Sequence, residues 1–367
     1  MPLRCTRQIL SVLAILMLAF TMCAVAAASD GAVLHVSLDP QFAGTAAAPR
    51  IAINGTAPAG CVPKLGRTTL DGVDLSIELA LPTTTCKRKQ RVPFRLLADP
   101  VTATGLRALP AQVYRVHVFA GSGTGAHLAA FALLDTSAPA LAPMPESGFW
   151  WTQAGAESAA AAGTGMSLEF QENQLAASVL GFSGTGAPTW YFGSAPLSGR
   201  VARISLVQLA NGEDWFSAVG AQPEVQPGPH LEIEFLSPTR AQAYLVRSDE
   251  EGNVQARSLV LSRSAFATGP AGTSWVGRWV LVPEDGRNTR LYDFAAPSNH
   301  DAEGFRLVDA ANDASLECRL IAGTQQADVC TLTAGAGVVA DFDQVGYDRF
   351  SGHGANGSPV QLLRVPR

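Results

Sequence analysis

The sequence predicts an all-β protein: an N-terminal immunoglobulin-like β-sandwich followed by a repeated antiparallel meander, closed as a barrel or folded as a further sandwich. Short runs in which every second residue is apolar recur along the chain, which is the period of a half-buried strand. Turn residues separate these runs, drawn from 35 glycines and 23 prolines among 367 residues. Apolar residues make up 47% of the chain, too many for disorder, so the runs have a core to bury.

The N-terminus reads as an export signal. Arg4 and Arg7 precede an apolar stretch at 9–20, and Ala24, Ala26 and Ala28 place small residues where a signal peptidase cuts. This layout assigns 1–28 to a signal peptide cleaved near Ala28, with Ala26 as the alternative. A retained anchor is the competing reading, because 9–28 is long enough to span a bilayer. Cys23 raises lipidation, but Met22 is not the small residue that such a signal places before its cysteine. The expected location is therefore extracytoplasmic: periplasm, cell surface or released.

The sandwich is expected over 29–135. Leu75, Ile77 and Leu79 alternate with polar residues, and so do Tyr114, Val116 and Val118. Further runs at 33–38, 50–53 and 128–134 bring the count to that of an immunoglobulin-like domain. The segment 109–116 resembles the late strand of such domains in secreted bacterial proteins. Pro139, Pro143 and Pro145 make 136–145 a semi-rigid spacer.

Two meander modules are expected after it, at 146–265 and 266–367. Leu168-Glu169-Phe170, Ile233-Glu234-Phe235 and Tyr292-Asp293-Phe294 each open a similar series of runs, giving three related units. A Gly-x-Trp precedes the first and third, at Gly148 and Gly277. The segment 154–165 reads as a flexible loop.

Four cysteines follow the signal, and their order along the chain pairs Cys61 with Cys86 and Cys318 with Cys330. A hairpin folded about Thr324 sets Cys318 opposite Cys330 and Leu316 opposite Leu332, within disulfide reach. The absence of a C-x-x-C pair argues against a thiolate zinc site.

Charge is uneven. Residues 29–140 hold ten Lys and Arg against seven Asp and Glu, whereas 141–367 hold fourteen against twenty-four. The basic run 87–91 suits a polyanion such as lipopolysaccharide or nucleic acid, or a solvated strand edge; the edge is the reading adopted, with no nucleic acid as partner.

Gly148-Phe149-Trp150-Trp151, Leu168-Glu169-Phe170 and Gly186-Ala187-Pro188-Thr189-Trp190-Tyr191 together resemble a G-x-W-W … P-T-W-Y module of uncharacterised secreted proteins of Gram-negative bacteria. The resemblance implies export and a β fold and carries no reaction with it. Glu157-Ser158-Ala159-Ala160 departs from the glycine-rich stretch of that module.

Signals for catalysis and cofactors are sparse. Six scattered histidines include no H-E-x-x-H. Gly181-Phe182-Ser183-Gly184-Thr185 misses the last glycine of a hydrolase elbow. Gly352-His353-Gly354-Ala355-Asn356-Gly357 lies too near the C-terminus for a nucleotide-binding unit. Asp341 and Asp343 fail the calcium-loop pattern at Val345 and Gly352. Asn299, His300, Asp301 and Glu303 form a polar loop that suits a hard cation or a solvated turn. No catalytic, metal or cofactor residues are assigned.

The candidate ligand-binding residues are Trp150, Trp151, Trp190 and Tyr191. Adjacent aromatics on a strand send one ring inward and one outward, and an outward flat ring can stack on a sugar or a protein partner. The function expected is a non-catalytic exported protein that binds a glycan, an envelope component or a protein. The alternatives are a barrel carrier of a small apolar ligand and a hydrolase with a noncontiguous site.

Overall fold

The computed structural model describes residues 34–39, 50–82, 87–121, 123–137, 143–152, 163–183, 185–212, 222–249, 252–335 and 337–366. The expected signal peptide, Cys86 and most of the 154–165 loop lie outside the described residues.

The chain is all-β. The first module is a sandwich of two sheets. One sheet orders β1 (His35–Asp39), β2 (Arg50–Ala59) and β5 (Lys87–Ala98). The other orders β3 (Lys64–Asp71), β4 (Asp74–Ala80), β6 (Val113–Ala120) and β7 (His127–Asp135). Alternate residues of both sheets meet in the middle: Val36, Ile51 and Ile53 from one, Leu75, Ile77, Val116 and Val118 from the other. The basic run 87–91 opens β5, which is an edge strand, where charge discourages pairing with another chain.

One pairing differs from the antiparallel expectation: β4 runs parallel to β6. The chain leaves β4, crosses to the opposite sheet as β5, and returns through the short helix α1 (Pro100–Thr104). It re-enters beside β4 in the same direction, as a long crossover allows. Asp99 caps α1 by accepting from the Thr102 amide at 3.0 Å.

The second module is a closed barrel of eight strands. These are β8 (Gly148–Thr152), β9 (Gly165–Gln171), β10 (Gln174–Phe182), β11 (Pro188–Pro196), β12 (Val201–Ala210), β13 (Glu224–Ser237), β14 (Arg240–Ser248) and β15 (Val254–Arg263). Neighbours in sequence pair antiparallel, and β15 closes on β8 through Leu261–Thr152 and Arg263–Trp150. Trp150, Met166, Leu168, Ile204, Leu231, Ile233 and Phe235 fill the interior.

The third module is an antiparallel sheet of nine strands, β16 (Gly277–Pro283) to β24 (Pro359–Arg364). Within it β20 (Ala314–Leu320) and β21 (Ala327–Ala334) place Cys318 directly opposite Cys330 and Leu316 opposite Leu332. The Cys318–Cys330 disulfide forms, buried in the core of this sheet. Cys61 is also disulfide-bonded.

Three similar units were expected, and the structure groups them differently. The first two are the two halves of one barrel, since β9–β11 and β13–β15 belong to the same closed sheet. The repeat that holds is the Gly-x-Trp device, once in the barrel and once in the third module. Gly148 and Gly277 have φ of 140° and 123°, a region that favours glycine. Two residues on, Trp150 and Trp279 are fully buried. Their indoles donate to the carbonyls of Glu146 and Trp275, at 3.3 and 2.8 Å. Each tryptophan thus fills a core while its one polar group is satisfied four residues back.

The sandwich packs against the barrel. Phe131 and Leu133 of β7 pack on Val201, Tyr244 and Val246 of the barrel wall. The barrel also meets the third module. Glu146 accepts from the amides of Tyr347, Asp348 and Arg349 at 2.9, 2.8 and 3.1 Å and faces Arg263 at 3.3 Å.

Candidate functional site

The four predicted aromatics divide as a pleated strand requires. Trp150 is core, and Tyr191 packs against the barrel core from the inner face of β11. Trp151 and Trp190 point outward, 40% and 43% exposed.

Register places the two outward tryptophans on one surface. Trp151 pairs with Gly165, Gly165 with Leu180, and Leu180 with Trp190, so one row crosses β8, β9, β10 and β11. A second row runs beside it through Phe149, Ser167, Ser178 and Phe192. Aromatic rings therefore flank the face on β8 and β11, with glycine, two serines and a leucine between. Three strand spacings of ~4.8 Å put the flanks roughly 14 Å apart. The rings of each flank support one another: Phe149 and Trp151 have centroids 5.5 Å apart, Trp190 and Phe192 5.4 Å. Gly165 is required beneath Trp151, because a Cβ there would sit 2.5 Å from the indole. No charged side chain belongs to either row. The arrangement offers flat apolar faces and hydroxyl groups and suits a neutral, hydroxyl-rich ligand.

A second constellation was not found from the sequence. Between the sandwich and the barrel lies a cleft of about 910 Å³, lined by His35 and Phe131 on one side and Tyr191, Arg203, Ser205, His230 and Arg247 on the other. Beneath it Glu232 is almost wholly buried, 3.3 Å from Arg203 Nε. The Leu133 amide donates to its other oxygen at 3.3 Å, across the module boundary. Burial pushes the Glu232 carboxyl up to about 7, against the opposing pull of Arg203. His230 is driven the other way, down to about 4, by burial and then by Arg203. His35 is lowered by the same two causes in the same order. The His230-Leu231-Glu232 alternation placed these groups on the outer face of β13. The unread signal was β7, whose run from Ala130 to Leu134 is buried on both faces and so must be covered on both.

The remaining sequence candidates resolve as structural features. Asp301 accepts from the amides of Glu303 and Gly304 in a turn. Asp341 and Asp343 are exposed strand acids, and Asp341 accepts from the Thr331 hydroxyl. Ser183 accepts from the Thr185 and Ala187 amides. His117 pairs with Asp74 at 3.2 Å, yet among the described residues no serine hydroxyl is hydrogen-bonded to it. The barrel interior, where a carrier would hold an apolar ligand, is taken up by the side chains named above. No family model and no curated protein matches the chain.

Proposed function

We propose that this chain is an exported, non-catalytic protein that binds a glycan through the outer face of β8–β11. The observation that carries the reading is the pair of register rows, which set Trp151 with Phe149 and Trp190 with Phe192 on either side of a serine-bearing strip. Sugar rings present flat C–H faces to such aromatics and hydroxyls to such serines. Protein interfaces enrich arginine and methionine beside their aromatics, and these rows carry neither.

Export and location outside the cytoplasm rest on the N-terminal sequence and on the likeness of the 148–191 module to secreted Gram-negative proteins. The disulfides support them, since such bonds persist in oxidising compartments. We read the sandwich as immunoglobulin-like. The Tyr114 hydroxyl donates to the Pro110 carbonyl at 3.0 Å, a tyrosine corner at the start of a late strand, although the parallel β4–β6 pair departs from that topology.

Affinity electrophoresis through gels containing neutral glucans, mannans or envelope polysaccharide tests the proposal. At least one glycan should retard the mature protein, and Trp151→Ala and Trp190→Ala should each weaken retardation by about three- to tenfold. Equal retardation of both variants and the parent would remove the aromatic face as the site.

A further inference from the structure

We propose that the cleft between the sandwich and the barrel is a second binding site, for a small organic oxyanion: a carboxylate or phosphate monoester carried on an apolar body.

The lining sorts into two chemistries. Leu34, Phe131, Leu206, Val207, Val246 and Val254 provide apolar wall. Arg203, Arg247, His35 and His230 supply the ionisable groups, and among the described residues no carboxylate lines the cleft. The volume, about 910 Å³, is that of a small-molecule site. The cleft also reaches the barrel seam, because β11 and β12 share the single registered pair Phe192–Val207. Gly228 is what allows Tyr191 to lie there: a Cβ at Gly228 would be 2.7 Å from the Tyr191 ring.

Arg203 is the group that would hold the anion. Its Nε faces Glu232, and its Nη2 lies 3.5 Å from His230 Nε2. Its Nη1 is buried with no hydrogen-bond partner. A guanidinium donor shielded from water and left unpaired is costly; the side chain as a whole is 28% exposed, and turning this donor toward the cleft would let an oxyanion satisfy it with a charge-assisted bond. Arg247, by contrast, spends its Nε and Nη2 on Gln255. Above about pH 7, where its carboxyl is ionised, Glu232 beneath acts as an internal counter-ion. It cancels part of the Arg203 charge, so an incoming anion competes with it.

That competition provides a test with two opposite arms. At about pH 8, where Glu232 is ionised, benzoate, phenyl phosphate and benzyl alcohol are titrated into the mature protein to about 10 mM, a range in which a weak millimolar complex is visible, and amide NMR shifts are followed. Benzoate or phenyl phosphate should shift amides around Tyr191, Ser205 and His230, and benzyl alcohol should not; the stronger of the two anions identifies the headgroup. Arg203→Met should weaken anion binding at least tenfold. Glu232→Gln, which keeps the acceptor for the Leu133 amide and removes the counter-ion, should strengthen it severalfold. Equal binding of benzyl alcohol, no anion binding, or weaker binding in Glu232→Gln would overturn the proposal. None of these readouts involves Trp151 or Trp190, so the glycan reading stands or falls separately.

Discussion

Replacing Glu232 by glutamine should change how stability depends on pH, with a sign and size that follow from its surroundings. The carboxylate is almost wholly buried and receives one hydrogen bond, from Leu133. Its second oxygen has Arg203 Nε at 3.3 Å and His230 Nε2 at 4.0 Å, and neither makes a hydrogen bond to it. Desolvation therefore outweighs the ion pair, and the folded protein holds the proton up to about pH 7, against an ordinary value of 4.5. Between those two pH values the folded state binds a proton that the unfolded chain has lost. The contribution of this group is thus fully present below pH 4.5 and is lost as pH rises through 7. An interval of about 2.5 pH units at 1.36 kcal/mol each gives roughly 3 kcal/mol. Glutamine keeps the Leu133 hydrogen bond and carries no titration. Urea denaturation of parent and Glu232→Gln at intervals from pH 4 to pH 8 measures the difference. The variant should gain on the parent by up to about 3 kcal/mol across that range. A difference independent of pH would refute the reasoning, and a parent that gains on the variant as pH rises would show the ion pair to be the stronger term.

Three other changes have defined outcomes. Glu146→Ala removes the acceptor of three amides at 347–349 and leaves Arg263 without its buried partner, which should cost about 3–5 kcal/mol in chemical denaturation. Cys318→Ala with Cys330→Ala opens a loop of sequence separation 12 and should lower stability by about 2–3 kcal/mol, read from urea midpoints with and without reductant. Gly165→Ala places a methyl group against the Trp151 indole and should displace the ring, lowering glycan retardation severalfold while the circular dichroism spectrum stays that of a β protein.

The legible parts of the molecule were those in which one strand reports on its own two faces. Alternation at Leu75–Leu79 and at Tyr114–Val118 identified core strands, and the spacing about Thr324 set Cys318 against Cys330. The inward and outward halves of Trp150–Trp151 and Trp190–Tyr191 followed from the pleat. What stayed illegible depends on which surface meets which. Nothing local to β4 or β6 announces a parallel pairing, because that pairing arises from where β5 crosses. The outward residues of β13, His230 and Glu232, have the pattern of solvated positions; Glu232 is buried where β7 docks on it, and His230 is left half-buried in the cleft. That Trp151 and Trp190 share a face needed the register of four strands, since 38 residues separate them in sequence.

The proposed glycan-binding face is tested most directly by intermolecular nuclear Overhauser effects between a retained oligosaccharide and the indole protons of the mature protein. Sugar ring protons should show contacts to Trp151 and Trp190 together, and none to the buried indoles of Trp150 and Trp279. Contacts confined to other residues, with both outward indoles silent in a saturated complex, would contradict the account.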